Sequence, residues 1–193
     1  MLYGLIRFII AIVIFVIIFI LVKKSKHRNI LIVADIIIVC IIGLLLHQTP
    51  FENLFFGFSS LEDVFNYTSS GQITDMVYGD NSVMIVYTSD NSINYCFTIK
   101  ENDTYKIVTP AQMKKDSFLS KDGIAVNITT LDNINDSYAF GTLQHNVTLT
   151  DNSDSDYTLI PTDLDTIYKF YGYVNNYDKS YSLYIDSEKV NFI

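Results

Sequence analysis

The sequence predicts a membrane-anchored α+β protein, in which an N-terminal transmembrane helical hairpin precedes a mainly antiparallel β-meander domain with one or two short helices. Two long apolar runs, 2–22 and 30–46, are separated only by a short basic loop. After Gly71 the apolar residues recur with a period of two, and turn-forming residues separate the resulting segments. These observations give four parts: a first helix with its basic loop (1–29), a second helix (30–48), a helical connector (49–71) and a β domain (72–193).

The first apolar run has the length of a membrane span. At ~1.5 Å per residue it reaches roughly 31 Å, about the thickness of a bilayer's hydrocarbon core. A cleaved signal peptide is the alternative, but Phe8 to Val22 contains no polar side chain and no small-residue cleavage pattern follows. Basic residues follow instead, which favours a retained span.

The loop between the two runs predicts the orientation of the hairpin. It contains four cations, which we take as the topology determinants: Lys23, Lys24, Lys26 and Arg28. Short loops rich in Lys and Arg remain in the cytoplasm. We therefore expect a cell-membrane protein with two spans, whose N-terminus and C-terminal domain are both extracytoplasmic.

Two ionisable residues, Arg7 and Asp35, interrupt the apolar runs. Such residues often mark ion or proton pathways. Aligning the two helices at the loop separates Arg7 from Asp35 by ~15 Å along the axis, which is too far for a direct pair. We expect Arg7 to extend towards the nearer interface and Asp35 to be neutralised by the basic loop, so we favour anchoring over transport.

The charge of the chain after residue 46 restricts its partners. This part contains eight Lys and Arg against twenty Asp and Glu, a net charge of −12. Such a field repels nucleic acid and attracts cations and basic peptides, although solubility alone also explains it. We expect the lipid bilayer as a partner, a peptide or membrane protein as a further one, and no nucleic acid.

The connector contains signals for two short helices. Thr49, Pro50 and Glu52 form a capping-box pattern, which predicts a first helix ending at Gly57. We expect the Phe residues of this segment to lie under the β domain rather than among lipid headgroups, because interfacial belts favour Tyr and Trp. A second helix is predicted over 61–67, with Ser60 as its N-cap.

The β domain is predicted to contain seven to nine strands. The clearest alternation covers 92–100, and similar patterns run through 124–129 and 181–185. Residues 83–87 are apolar on both faces, which is typical of a strand in the middle of a sheet. We expect a helical turn at 110–116.

Catalytic chemistry is not indicated, and we expect no enzymatic activity and no cofactor. The sequence has no G-x-S-x-G motif. It also has no recognisable motif that would supply a catalytic partner for His145 as a general base. Cys96 has no cationic cluster nearby that would activate its thiol. An extracytoplasmic hydrolase is therefore a minor alternative.

Two residue groups are candidates for binding. The acidic stretch 151–156 lacks the glycine and glutamate of an EF-hand, so we predict no dedicated metal site, only a weak cation candidate formed by Asp151, Asp154 and Asp156. Tyrosines concentrated near the C-terminus suit strands and also peptide-binding surfaces. The candidate binding tyrosines are Tyr168, Tyr171, Tyr173, Tyr181 and Tyr184.

The segments PFENLFFGFSSLEDVFNY (50–67) and SYSLYIDSEKVNF (180–192) resemble small uncharacterised two-span membrane proteins of Gram-positive bacteria. The resemblance implies a membrane-anchored extracytoplasmic β domain and carries over no catalytic residues. The preferred hypothesis is a non-enzymatic surface protein whose acidic β domain binds or shields. The alternative is an accessory or immunity-type subunit of a larger membrane complex.

Overall fold

The computed structural model describes residues 2–23, 25, 27–119, 124–162 and 166–192. These residues form two compact units. The first contains residues 1–72 and 87–111, and the second contains residues 73–86 and 112–193.

Two long helices open the first unit, as the sequence predicts. Helix α1 (Leu2–Val22) and helix α2 (Arg28–Gln48) pack against each other along their length. The less exposed positions of α2 recur every three or four residues, at Ile32, Asp35 and Val39, and form a seam towards α1. The outer faces of both helices expose large apolar side chains, and both helices are long and apolar enough to cross a membrane.

The segment after α2 differs from the predicted capped helix. It forms only a 3₁₀ helix, Phe51–Leu54, whose N-cap is Pro50 and which has no side-chain cap. Thr49 instead ends α2, since both its backbone N–H and its hydroxyl donate to the carbonyl of Leu45. The capping box is wrong because the carboxylate of Glu52 is engaged elsewhere.

The second short helix is confirmed. Helix α3 (Leu61–Thr68) begins at Ser60, whose hydroxyl accepts a hydrogen bond from the backbone N–H of Asp63 at 3.1 Å. Its apolar face, with Val64 and Phe65 buried, packs on strands of the same unit.

Four strands form the first sheet, in the order β1-β2-β3-β4, and the boundary between the units falls within β2. Two-residue turns with positive φ connect β2 to β3 and β3 to β4, as hairpins require. The predicted strands over 83–87 and 92–100 are confirmed. The strand bounds are β1 Gln72–Tyr78, β2 Ser82–Ser89, β3 Ser92–Glu101 and β4 Thr104–Ile107.

The second unit contains two further antiparallel sheets, and its topology departs from a meander. The five-stranded sheet has the order β5-β6-β7-β10-β9, and the three-stranded sheet has the order β12-β11-β8. The chain leaves the first of these sheets after β7 and returns through β9 and β10, so β10 lies between β7 and β9. The strand bounds are β5 Met113–Leu119, β6 Ala125–Leu131, β7 Ser137–Gln144, β8 Leu149–Asp151, β9 Thr158–Pro161, β10 Ile167–Val174, β11 Leu183–Ile185 and β12 Glu188–Lys189.

Inward-facing side chains from both sheets form the core of the second unit. Val126, Ile128, Phe170 and Leu183 are completely inaccessible to solvent. The strand predicted over 124–129 is confirmed, whereas the one predicted over 181–185 is shorter and begins at Leu183. The turn predicted at 110–116 is a 3₁₀ helix only over Pro110–Gln112, before β5 begins.

Candidate functional site

A buried ion pair connects the first helix to the segment that follows the second. Nη1 of Arg7 lies 2.6 Å from Oε1 of Glu52, and Nη2 of Arg7 donates to Oε2 of Glu52 at 3.0 Å. Arg7 is 6% exposed and Glu52 is 2% exposed. Two parallel hydrogen bonds between a guanidinium and a carboxylate are the strongest geometry for such a pair.

Arg7 also satisfies the C-terminal end of α2. Its Nη2 donates to the carbonyl of Thr49 at 2.9 Å, and its Nε donates to the carbonyl of Leu46. The last carbonyls of a helix have no partner within the helix, and a cation near them is favourable. One side chain of α1 therefore neutralises Glu52 and terminates α2.

Aromatic side chains enclose this pair. The guanidinium carbon of Arg7 lies 3.3 Å from the ring centroid of Tyr3 and 4.9 Å from that of Phe51. Tyr67, from α3, donates its hydroxyl to Oε1 of Glu52 at 2.8 Å. We call Tyr3, Arg7, Phe51, Glu52 and Tyr67 the arginine cluster.

The arginine cluster gives Arg7 a partner that local sequence patterns did not indicate. Arg7 is buried at the end of the hairpin and pairs with Glu52, which the sequence pattern assigns to a capping box. Burial raises the pKa of Tyr67, and the neighbouring charge of Glu52 raises it further, so this hydroxyl keeps its proton and remains a donor. The proximity of Arg7 to Glu52 could have been predicted from their positions, since both lie at the same end of an antiparallel hairpin.

Asp35 is also buried in the helical hairpin, but unlike Arg7 it has no hydrogen-bond partner among the described residues. It is 1% exposed, and within the described part of the chain neither of its carboxylate oxygens has a hydrogen-bond partner. A buried polar group without a partner is costly, and such groups in apolar helices are frequently functional.

The loop cations are described only in part. Lys23 directly follows α1 and is exposed. Lys24 and Lys26 lie outside the described residues, and for Arg28 only the backbone, at the start of α2, is described.

The candidate tyrosines do not gather on one exposed surface. Strand alternation places Tyr168 on the face of β10 that carries the core residue Phe170, and places Tyr171 and Tyr173 on the other face. Tyr171 is 2% exposed. Tyr181 packs partly buried against the core, and Tyr184 lies half-buried in β11.

Several of these tyrosines donate to carboxylates inside the second unit. The hydroxyl of Tyr171 donates to Asp75 at 2.9 Å, and that of Tyr173 to Asp136 at 3.4 Å. Burial, followed by the charge of Asp136, raises the pKa of Tyr173 to about 12. These pairs lie inside the fold, which is the location expected for stabilising interactions.

Asp151 of the cation candidate organises its own turn. Its Oδ1 accepts the backbone N–H groups of Ser153 and Ser155, and its Oδ2 accepts the hydroxyls of Tyr157 and Tyr181. Burial alone would raise the pKa of Asp151, but these hydrogen bonds outweigh it and the pKa is lowered. Among the described residues no group of three or more His, Cys, Asp or Glu could hold a metal ion.

A groove on the second unit contains one candidate tyrosine. The ring of His145 lies 5.2 Å from that of Tyr168, and Nδ1 of His145 pairs with Oδ1 of Asn146 at 2.8 Å. The main cavity has a volume of about 660 Å³, and a smaller cavity of about 200 Å³ shares part of its lining. Together the two cavities form what we call the His145 groove, which is lined by Leu143, Gln144, His145, Asn146, Val147, Leu159, Thr166, Ile167, Tyr168 and Asp186.

Cys96 lies in β3 and is partly buried. Burial raises the pKa of its thiol to about 11, so the reactive thiolate is scarce at neutral pH.

Comparison of the chain with protein-family models, with curated proteins and with solved structures finds no match.

Proposed function

We propose that this chain is a non-enzymatic, membrane-anchored surface protein whose acidic β-rich part is displayed outside the cell, where it binds or shields. Support comes first from the ion pair between Arg7 and Glu52. This pair fixes the N-terminal end of α1 beside the segment that follows α2. If both helices cross a bilayer, residues after Gln48 therefore lie on the same side as the N-terminus.

The loop supplies the direction. Four cations, including the exposed Lys23, keep the loop in the cytoplasm. The N-terminus and everything after Gln48 then lie outside.

Reporter fusions test this orientation. An enzyme that is active only outside the cytoplasm, fused after Ile193, should be active, and the same enzyme inserted within 23–29 should be inactive. A matched chain with the loop cations changed to Ser should lose this bias, because the basic residues set it. Activity at the loop and silence at Ile193 would contradict the proposal.

The charge supports a basic peptide as the bound partner. The part after residue 46 has a net charge of −12. In the His145 groove, the ring of Tyr168 lines the smaller cavity and the carboxylate of Asp186 lines the main one. Aromatic anchors dominate peptide binding, and charge steers the encounter.

Binding is measured with the full chain in nanodiscs of uncharged lipid and a fluorescent peptide of alternating Lys and Leu. Tyr168→Ala should weaken binding roughly thirtyfold, the loss expected for a hot spot worth ~2 kcal/mol. The matched control is Tyr78→Ala, since Tyr78 is an exposed tyrosine outside the groove. Binding that disappears at raised salt and responds equally to both changes would reduce the interaction to nonspecific attraction.

A second function, an accessory subunit of a larger membrane complex, is favoured by Asp35. Within the described residues this buried carboxylate has no hydrogen-bond partner, and a Lys or Arg from a partner helix that displaces part of the contact between α1 and α2 would supply one. Purification in mild detergent should then recover a stoichiometric membrane partner with the native chain and lose it with Asp35→Leu. Recovery of the same partner with both chains would remove Asp35 from the interface.

A further inference from the structure

Three consecutive apolar side chains stand out from the first unit just after the helical hairpin. Leu54 is 82% exposed, Phe55 is 77% exposed and Phe56 is 47% exposed. We call these three residues the apolar turn. Contiguous apolar surface of this kind marks a site of interaction with another molecule or with lipid.

The apolar turn is held in place by polar contacts of the preceding residue, Asn53, and of the carbonyl of Phe56. The side chain of Asn53 donates to the carbonyl of Ile107 at 2.8 Å and accepts from the backbone N–H of Ile107 at 2.9 Å. Nζ of Lys106 donates to the carbonyls of Asn53 at 3.0 Å and Phe56 at 3.3 Å. The exposure is therefore imposed by the fold, and little conformational freedom is lost when the turn is covered.

The position of the turn indicates what covers it. The turn begins two residues after Glu52, which is bonded to Arg7 of α1, and the hydroxyl of Thr109 donates to the carbonyl of Gln48 at the end of α2. The turn therefore lies within a few residues of the end of α2, and the outer faces of α1 and α2 also expose large apolar side chains.

We propose that Leu54, Phe55 and Phe56 insert into the outer leaflet at the boundary between headgroups and acyl chains. The inference rests on the proposed function, since it requires that the hairpin crosses the bilayer. Leu and Phe are suited to this depth, and insertion of several apolar side chains next to a span fixes the height and tilt of the attached domain. The exposure of Phe55 and Phe56 differs from the expectation that the Phe residues lie under the domain, whereas Phe51 and Phe58 contact Arg7 and Tyr67 respectively.

The chain contains no tryptophan, so a single introduced one reports its own surroundings. Three single variants of the full chain are reconstituted in vesicles: Phe55→Trp in the turn, Phe8→Trp on the exposed face of α1, and Leu119→Trp on an exposed position of the second unit. Each is measured in plain phosphatidylcholine and in phosphatidylcholine brominated at shallow or deep acyl positions, which quenches tryptophan on contact.

We expect the Phe55→Trp emission to shift to the blue and to fall at least twofold with shallow bromines, and less with deep ones. Phe8→Trp should also be quenched, and Leu119→Trp should be unaffected. Quenching of Phe8→Trp without quenching of Phe55→Trp would overturn the inference and leave the hairpin proposal intact. Absence of quenching at Phe8→Trp would overturn the proposed function itself.

Two other results also contradict insertion of the turn. A blue shift of Phe55→Trp without bromine quenching would mean that protein, from a second copy or a partner, covers the turn. Equal quenching of Phe55→Trp and Leu119→Trp would mean that lipid contacts the whole surface without selecting the turn. Either result would exclude selective insertion of the apolar turn into the lipid leaflet.

Discussion

Arg7 and Asp35, the two charged residues that interrupt the apolar runs of the hairpin, are both buried, yet their surroundings are opposite. Arg7 has four hydrogen bonds to protein acceptors and two aromatic rings around its guanidinium. Asp35 has no hydrogen-bond partner for either oxygen within the described residues. A buried charge is tolerated only when its lost hydration is replaced, and the described residues do this for Arg7 but not for Asp35.

The difference separates two roles for a charge in an apolar helix. Arg7 joins elements, because its partners come from α2, from the 3₁₀ helix and, through Glu52, from α3. Asp35 joins nothing within the described chain. The side chains of Lys24, Lys26 and Arg28, which the sequence pattern predicts as the neutralising charges, lie outside the described residues.

The largest effect is expected when the arginine cluster loses its carboxylate. Glu52→Gln leaves the buried Arg7 without a counter-charge and should lower the free energy of unfolding by about 3–5 kcal/mol. The measurement is an SDS titration of the full chain in detergent micelles. The matched control, Glu62→Gln, changes an exposed glutamate of α3 and should cost no more than about 1 kcal/mol.

Simultaneous replacement of Arg7 and Glu52 by Met sharpens this result. Removing both charges leaves no unpaired ion, so the double variant should be more stable than Glu52→Gln. A double variant that is less stable would show that the contacts of Arg7 with α2 matter more than its pairing with Glu52.

A smaller loss is expected from the tyrosine that completes the cluster. Tyr67→Phe removes only the hydroxyl that donates to Glu52 and should cost roughly 1.5–3 kcal/mol, the range for a hydrogen bond to a charged group. The same SDS titration measures it, with the exposed Tyr78→Phe as control. Equal effects of the two changes would show that the hydroxyl of Tyr67 contributes nothing specific.

The opposite sign is expected at Asp35. Asp35→Leu removes a buried polar group that has no hydrogen-bond partner among the described residues, and it should raise the free energy of unfolding by about 1–3 kcal/mol in micelles. Asp35→Asn keeps a buried polar group and should raise the free energy of unfolding by less than Asp35→Leu does. A loss of stability with Asp35→Leu would mean that the carboxylate has a partner and would end the contrast with Arg7.

Asp151 extends the comparison to a satisfied carboxylate outside the hairpin. Its folded-state pKa is lowered, so its contribution to stability is present at neutral pH and is lost as the pH falls through that lowered pKa. Asp151→Asn should therefore lower the melting temperature at pH 7 and reduce its decline on acidification. The exposed Asp90→Asn is the control, and parallel curves for the native chain and Asp151→Asn would contradict the linkage.

Elements defined by local patterns could be predicted from the sequence. The apolar runs gave both long helices, the cap at Ser60 gave α3, and strict alternation gave the strands around Tyr95 and Val126. Each depends on neighbours within a few residues. Short-range periodicity and capping therefore sufficed.

Pairings between residues that are distant in the sequence could not be predicted, because local patterns carry no information on them. The chain order suggests a meander, but β10 pairs with both β7 and β9, and no local signal specifies such a return. Glu52 fits a capping box equally well, and only the approach of α1 decides that its carboxylate pairs with Arg7. The alternation of Tyr171 and Tyr173 gives their shared face but not that Asp75 and Asp136 accept from them.

The spacing of the arginine cluster along the chain has a consequence for synthesis. Arg7 precedes Glu52 by 45 residues, so the ribosome completes both helices before the partner of Arg7 exists. At ~5–20 residues per second this delay lasts about 2–9 s, during which Arg7 lacks Glu52 as its counter-charge. The ion pair can close only once both helices have been synthesised, so it joins α1 to the segment that the ribosome completes last of the two.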